Sequence, residues 1–166
     1  VLAEVGLNLP DYRAAERSFQ VLTQVSGRAG RSPLGGEVVL QTYQPDNYVI
    51  QAASKHDFFG FYKQELEFRR MLAYPPFTRL IRLEYHHLSQ PKAEHEARQL
   101  ALLIADEIES KGLHQTEMIG PLPAYYSRLH GYWRWQIILR GQNPEVLLTG
   151  LPLSNWQIEV DPPSLL

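Results

Sequence analysis

The sequence predicts an α/β fold in which a mainly helical N-terminal part precedes a domain of βαββαβ order. Up to residue 76, apolar residues recur mostly at helical spacing. From residue 77, period-two strands alternate with helical segments. The hydrophobic fraction of 44% is enough for a packed core and too high for a disordered chain.

The N-terminal part is predicted to hold a helix, a short strand and a helical connector. Asp11 is a start signal for the helical pattern over residues 14–29. A glycine pair then marks a turn before a β-branched strand at 37–42. Residues 46–76 are predicted to form the connector. Asn47 marks the start of its first helical stretch, and Asp57 is a cap for its second helix, which covers 58–72 and ends at a proline pair.

The C-terminal part, residues 77–166, is predicted to form one domain. Its elements in order are a half-buried strand from Phe77 to His86, a helix from Ser89 to Lys111, a strand at 116–119, a Pro-rich loop, a strand at 132–140, a short helix from Asn143 and a strand at 156–160. On the strand at 132–140, Trp133 and Trp135 share a face and are expected in the core, with Arg134 exposed. This order is the split-βαβ plan of ferredoxin-like domains.

Composition excludes several classes of site. The chain has no cysteine, which rules out a disulfide scaffold or a Cys-based zinc site within it. Its six histidines form no ligand set, so no metal is expected to bind. The net charge of −2 gives no broad attraction to nucleic acid, so any DNA contact must be local. No apolar run reaches the roughly 20 residues of a membrane span, and the N-terminus lacks signal-peptide features. A cytoplasmic protein without membrane contact is expected.

The segment most informative about chemistry is Q-x-x-G-R-x-G-R at residues 24–31. On a helix, Gln24, Arg28 and Arg31 project from one face, while Val25 and other apolar residues point the opposite way. Two guanidinium groups on one face suit phosphate, which they bind bidentately. Such arginines are also common at solvated helix ends, where they favour the helix dipole.

The full string resembles motif VI of superfamily-two helicases, and its flanks narrow the resemblance. These flanks are similar to the primosomal helicase family, PriA or primosomal protein N′. The similar stretches are residues 8–20 and 36–43, the connector from Phe61 to Phe77, and Trp133-Arg134-Trp135 with Val160-Asp161-Pro162. The resemblance covers essentially the whole chain. It implies that residues 1–45 are the end of a RecA-like second helicase lobe.

The resemblance implies an ATP-dependent 3′-to-5′ DNA helicase that binds stalled or branched replication forks and restarts DNA replication through primosome assembly. Gln24, Arg28 and Arg31 would bind ATP, and the two arginines would stabilise charge in the hydrolysis transition state. The implied partners are forked DNA, single-strand-binding protein and other primosome proteins. ATP and Mg²⁺ would serve the full-length protein, and zinc would bind an upstream insertion rather than this chain.

The chain is expected to be inactive alone, because it contains no phosphate loop and no acidic run to hold magnesium. Aromatic and cationic residues between Tyr125 and Trp135 suggest a DNA contact through Arg128 and Arg134. An alternative hypothesis is a non-enzymatic module that binds nucleic acid or protein through its ferredoxin-like domain. A metabolic enzyme that binds a phosphorylated substrate is a third and weaker hypothesis, since no general base accompanies the arginines.

Overall fold

The computed structural model describes residues 4–29 and 37–165. The chain divides into two compact units, Val1–Met71 and Leu72–Leu166. Within the described residues, no helix combines the length and apolarity needed to cross a membrane.

The described residues of the first unit form helices α1 (Glu4–Leu7), α2 (Ala14–Ala29), α3 (Tyr48–Ser54) and α4 (Phe58–Met71). The side chain of Asn47 accepts a hydrogen bond of 2.9 Å from the Val49 N–H at the start of α3. The Asp57 carboxylate accepts one of 2.8 Å from the Gly60 N–H in α4. Such oxygens satisfy first-turn amides that have no partner within the helix. The predicted starts of these helices are therefore confirmed.

The first unit has one apolar core, to which α2, α3 and α4 all contribute. Its buried members are Phe19, Leu22, Val49, Ile50, Ala52, Ala53 and Phe61. The rings of Phe19 and Phe61 stack with centroids 4.2 Å apart. Helices α3 and α4, predicted to lie in the connector at 46–76, thus share a core with α2. The predicted domain boundaries at residues 45 and 76 stay predictions.

A buried polar link also joins the helices of this unit. The Tyr48 hydroxyl donates to Glu65 at 2.7 Å, and Arg69 donates to Glu65 at 2.7 Å and to Glu16 at 2.9 Å. Burial raises the pKa of Tyr48, and the hydrogen bond to Glu65 raises it further. These groups tie α3 and α4 to α2 without leaving Glu65 unpaired.

The predicted strand at residues 37–42 is wrong. These residues have no strand pairing, and Val39 is 82% exposed. A lone extended segment is not stable as a strand, and the described residues of the first unit offer no second strand to pair with it. A RecA-like lobe is therefore not shown in this chain.

The second unit is a four-stranded antiparallel sheet with a helix on one face. Its elements are β1 (Arg79–His87), α5 (Gln90–Ser110), β2 (Glu117–Leu129), β3 (Tyr132–Gly141), a 3₁₀ helix (Pro144–Leu148) and β4 (Trp156–Val160). The strand order is β2-β3-β1-β4, and every neighbouring pair is antiparallel. The predicted βαββαβ order is confirmed, with the 3₁₀ helix as the second helical element. The arrangement is compatible with a ferredoxin-like domain.

Helix α5 covers the inner face of this sheet. Its buried stripe is Ala93, Ala97, Leu100, Ala101 and Ile104. The stripe packs against Ile81 and Leu83 of β1 and against Ile137 and Leu139 of β3. Near its start, α5 packs against the buried Trp135, with Trp133 partly buried beside it. The prediction that the tryptophans lie in the core is confirmed for Trp135, whereas Trp133 is only partly buried at its edge.

The opposite, outer face of the sheet carries charged residues that are nevertheless buried. Arg82 is 9% exposed and Glu84 is 3% exposed, so the half-buried strand expected from Phe77 onward is buried on both faces from Leu80 to Tyr85. Ion pairing across strands offsets the cost of burying these charges. Arg82 donates to Glu159 of β4 at 2.9 Å, and Glu84 pairs with β3.

Strand β2 extends well beyond the four residues predicted for it. The expected Pro-rich loop after residue 119 is instead strand up to Leu129. Prolines are tolerated there because β2 lies at the edge of the sheet, where half of its N–H groups need no strand partner. The strand is irregular, however, and its pairing with β3 shifts twice.

Candidate functional site

The polar face of α2 is the first candidate site. Gln24 and Arg28 are both exposed, one helical turn apart. Among the described residues, Arg28 has no hydrogen bond or ion pair, so its guanidinium is available for a ligand. Arg31 lies outside the described residues. Val25 was expected on the packed side of the helix, but it is 37% exposed. It lies only about 100° around the helix from Gln24, so it falls at the edge of the packed face.

The second candidate site is the hairpin formed by β2 and β3. Pro123 pairs with Trp135, and Arg128 pairs with Trp133. Four residues of β2 (124–127) therefore lie opposite the single residue Arg134 of β3. We call residues 124–127 the bulge. Bulges of this kind re-aim side chains and are common beside functional sites.

The bulge and the hairpin end expose a group of aromatic side chains. Tyr125 is 50% exposed, Tyr126 is 56% exposed and Tyr132 is 45% exposed. The rings of Tyr125 and Tyr126 meet edge to face with centroids 4.9 Å apart. The two turn residues that follow β2 have positive φ, a backbone that matches the twist of a tight hairpin. Their short turn fixes where the aromatic group is presented.

Arg128 is the exposed cation of this surface. Its guanidinium lies over the ring of Trp133, 5.4 Å from the centroid. A cation on an aromatic face is held in place but keeps its outward N–H donors for a ligand. The sequence-predicted site residue Arg128 is thus exposed on the same hairpin as the three tyrosines.

Arg134, by contrast, is occupied within the protein. Its Nε and Nη2 donate to the Glu84 carboxylate at 2.5 and 2.9 Å, and its side chain is only 11% exposed. The expectation that Arg134 extends into solvent is wrong. The physical reason is the register of β1 with β3, which sets Arg134 opposite His86 and diagonal to Glu84 on the outer face.

Glu84 is the buried anion at the centre of this arrangement. Burial by itself raises the pKa of Glu84, but hydrogen bonds and charge from Arg134 and His86 outweigh burial and lower it. Glu84 therefore stays ionised. Its charge holds Arg134 flat against the outer face.

Sequence reasoning missed the role of Glu84. The alternation along β1 does place Glu84 and His86 on the polar face. The ion pair of Glu84 with Arg134, however, depends on a contact between residues 50 positions apart, which periodicity does not supply.

No cluster of three or more histidine, aspartate or glutamate side chains in positions 4–29 and 37–165 has the arrangement of a metal site. The exposed side chains of α2 and of the hairpin offer recognition chemistry. The exposed aromatic rings can stack on bases, and the exposed arginines can bind phosphate.

Comparison with known proteins assigns the family. Residues 70–163 match the family described as the primosomal protein N C-terminal domain. A replication restart protein PriA from Synechocystis is 39% identical over 175 residues, covering 99% of this chain and 20% of that protein. Proteins of the same name from Bacillus subtilis and Haemophilus influenzae are each 36% identical, over 83% and 89% of this chain.

These relatives are much longer proteins, and the chain spans about a fifth of the length of each. The family match covers β1 to β4, and with them the whole β2–β3 hairpin and its bulge. The surface with exposed tyrosines and Arg128 is therefore part of the matched region. On this match, the chain belongs to the family of the primosomal protein N C-terminal domain.

Proposed function

We propose that this chain is the C-terminal part of an ATP-dependent 3′-to-5′ DNA helicase that restarts replication at stalled or branched forks. In this proposal the β2–β3 hairpin contacts the DNA. The relatives named replication restart proteins support the first part of the proposal. The exposed surface of the hairpin supports the second.

One observation carries the DNA contact. The bulge and the hairpin end expose three tyrosines within four positions of Arg128 along the chain, and the net charge of −2 gives this chain no general attraction to DNA. Aromatic stacking on bases contributes roughly 1–3 kcal/mol per base and tolerates any sequence. A local surface that combines stacking with one phosphate-binding cation suits the variable sequence of replication forks.

The DNA contact is tested by fluorescence anisotropy with labelled forked, duplex and single-stranded DNA. Arg128→Ala should weaken binding by a similar factor on all sequences and lower the salt dependence by about one phosphate contact. Arg98→Ala is the matched control, because Arg98 is an exposed arginine of α5 that is paired with Glu94. Equal effects of the two substitutions would contradict the proposed interface.

The proposed role of α2 is to face ATP between two helicase lobes through Gln24, Arg28 and Arg31. The exposure of Gln24 and Arg28 supports this role. In the full-length protein, Arg28→Ala should lower DNA-stimulated ATP hydrolysis by roughly 10³-fold or more while DNA affinity is retained. Gln20→Ala is the control, because Gln20 is an exposed residue of α2 about two turns before Arg28. Unchanged turnover in Arg28→Ala would refute the role.

Further parts of this proposal concern the full-length protein. It would use ATP with Mg²⁺, hold zinc in a segment outside this chain, and work in the cytoplasm with single-strand-binding protein and other primosome proteins. The competing hypothesis is a binding module without ATP chemistry. It predicts that Arg128→Ala weakens DNA binding while Arg28→Ala changes nothing.

A further inference from the structure

We infer that Glu84 and Arg134 are positioning residues that hold the bulge of β2, and with it Tyr125 and Tyr126, in the conformation that meets the ligand. This inference rests on the proposed DNA contact of the hairpin. It gives Arg134 a different role from Arg128, since Arg134 acts through the protein and not by touching phosphate.

The first observation behind the inference is the register. In regular pairing each residue of β2 has one partner in β3, but residues 124–127 share Arg134 alone. The ladder hydrogen bonds that would fix four residues are thus disrupted at the bulge. Some other group must hold this backbone if its tyrosines are to have a defined position.

The second observation is a hydrogen bond from Arg134 to the bulge itself. While Nε and Nη2 bind Glu84, Nη1 donates to the backbone carbonyl of Tyr126 at 3.3 Å. One planar guanidinium therefore links β1, β3 and the bulge of β2. Its five N–H donors lie in a fixed fork, so fixing two of them on Glu84 also fixes the direction of the third.

The third observation is burial. Glu84 is 3% exposed and Arg134 is 11% exposed, so neither side chain is placed to reach a macromolecular ligand without leaving the pair. Tyr126, whose backbone carbonyl accepts from Arg134, is 56% exposed. The buried pair is the fixed end of the arrangement, and the exposed ring is the end that contacts a ligand.

The experiment is limited chymotrypsin digestion without DNA, because chymotrypsin cleaves after Tyr125 and Tyr126 only when the bulge loosens. Arg134→Lys keeps the charge but not the planar fork, and Glu84→Gln removes the charge that orients Arg134. Both should speed cleavage at the bulge on the order of tenfold, as expected for loss of a charge-assisted hydrogen bond. Cleavage at Phe59, which is 82% exposed in the first unit, is the internal reference.

The matched control is Arg140→Lys. Arg140 also lies on the outer face of β3, pairs with Glu117 and donates to a backbone carbonyl, that of Leu72 at 2.8 Å. It should leave cleavage at the bulge unchanged. Equal acceleration by Arg140→Lys, or unchanged cleavage in both Arg134→Lys and Glu84→Gln, would overturn the inference.

DNA anisotropy on the same variants separates this inference from the proposed function. If both hold, the faster-cleaved variants bind DNA more weakly, whereas Arg140→Lys binds DNA like the wild-type protein. If wild-type protein binds no DNA but Arg134→Lys still loosens the bulge, the proposed interface fails and the positioning role stands. If DNA binding depends on Arg128 but the bulge is unchanged in both variants, the positioning role fails.

Discussion

Removing Glu84 alone should destabilise the second unit far more than removing Glu84 together with Arg134. In Glu84→Leu, the guanidinium of Arg134 stays 11% exposed and loses its acceptors at 2.5 and 2.9 Å. Breaking a buried ion pair by removing one partner costs about 3–5 kcal/mol, and the low end applies here because Arg134 can turn toward nearby water. The double variant Glu84→Leu/Arg134→Leu leaves no unpaired charge from this pair and should cost only about 1 kcal/mol.

The assay is urea denaturation followed by tryptophan fluorescence. The chain has three tryptophans, all in the second unit, namely Trp133, Trp135 and Trp156. The signal therefore reports the unfolding of this unit alone. A loss of about 3 kcal/mol should move the urea midpoint by roughly 1–3 M, for the usual dependence of 1–3 kcal/mol per molar urea.

The predicted difference in stability depends on energetic coupling between Glu84 and Arg134. A double variant that loses as much as the sum of Glu84→Leu and Arg134→Leu would show that the residues act independently. A loss below about 0.5 kcal/mol in Glu84→Leu would show that the pair is solvated like a surface ion pair. Either result would show that Glu84 and Arg134 do not form a coupled, buried ion pair.

Three further outcomes are expected. Because the pKa of Glu84 is lowered in the fold, the contribution of Glu84 to stability is complete above the ordinary glutamate pKa of about 4.3 and is lost as pH falls through the lower folded pKa. Glu84→Gln should therefore reduce the loss of stability at acid pH, as measured by tryptophan fluorescence. Ile104→Ala should cost about 2–5 kcal/mol by the same assay, because Ile104 is fully buried against the sheet, whereas Leu102→Ala on the exposed side should cost under about 0.5 kcal/mol. Asp57→Ala should lower the stability of the first unit by about 1 kcal/mol through loss of its bond to the α4 backbone, measured as helical circular dichroism with the tryptophan transition unchanged.

Much of the fold follows from local sequence. The stripe from Ala97 to Ile104 predicts one buried face of α5, and Asp57 predicts the start of α4, because helix periodicity and capping depend on residues within a few positions. The prediction of a strand at 37–42 is wrong because a strand, unlike a helix, needs a partner elsewhere in the chain. Its β-branched composition gives a tendency, but the described part of the first unit supplies no strand for it to pair with.

The sequence predicted the exposure of some candidate site residues correctly and of others wrongly. Gln24 and Arg28 are exposed at their predicted spacing on α2, and Arg128 is exposed beside aromatic rings as expected. Arg134 was predicted as a solvent-facing contact and is instead a buried partner of Glu84. Local alternation gave its face correctly but could not show that the buried carboxylate of Glu84 lies within reach on the neighbouring strand.

The sequence by itself determined the α/β class, the βαββαβ order, the burial of Trp135 and the resemblance that the family match confirms. These depend on patterns within one element or on motifs read along the chain. Only the tertiary structure decided the strand register, the bulge opposite Arg134 and the pairing of Glu84 with it. The Glu84–Arg134 pair joins residues 50 positions apart, and the register and the bulge depend on pairing between strands that forms only when the sheet closes, so patterns within one element do not encode them.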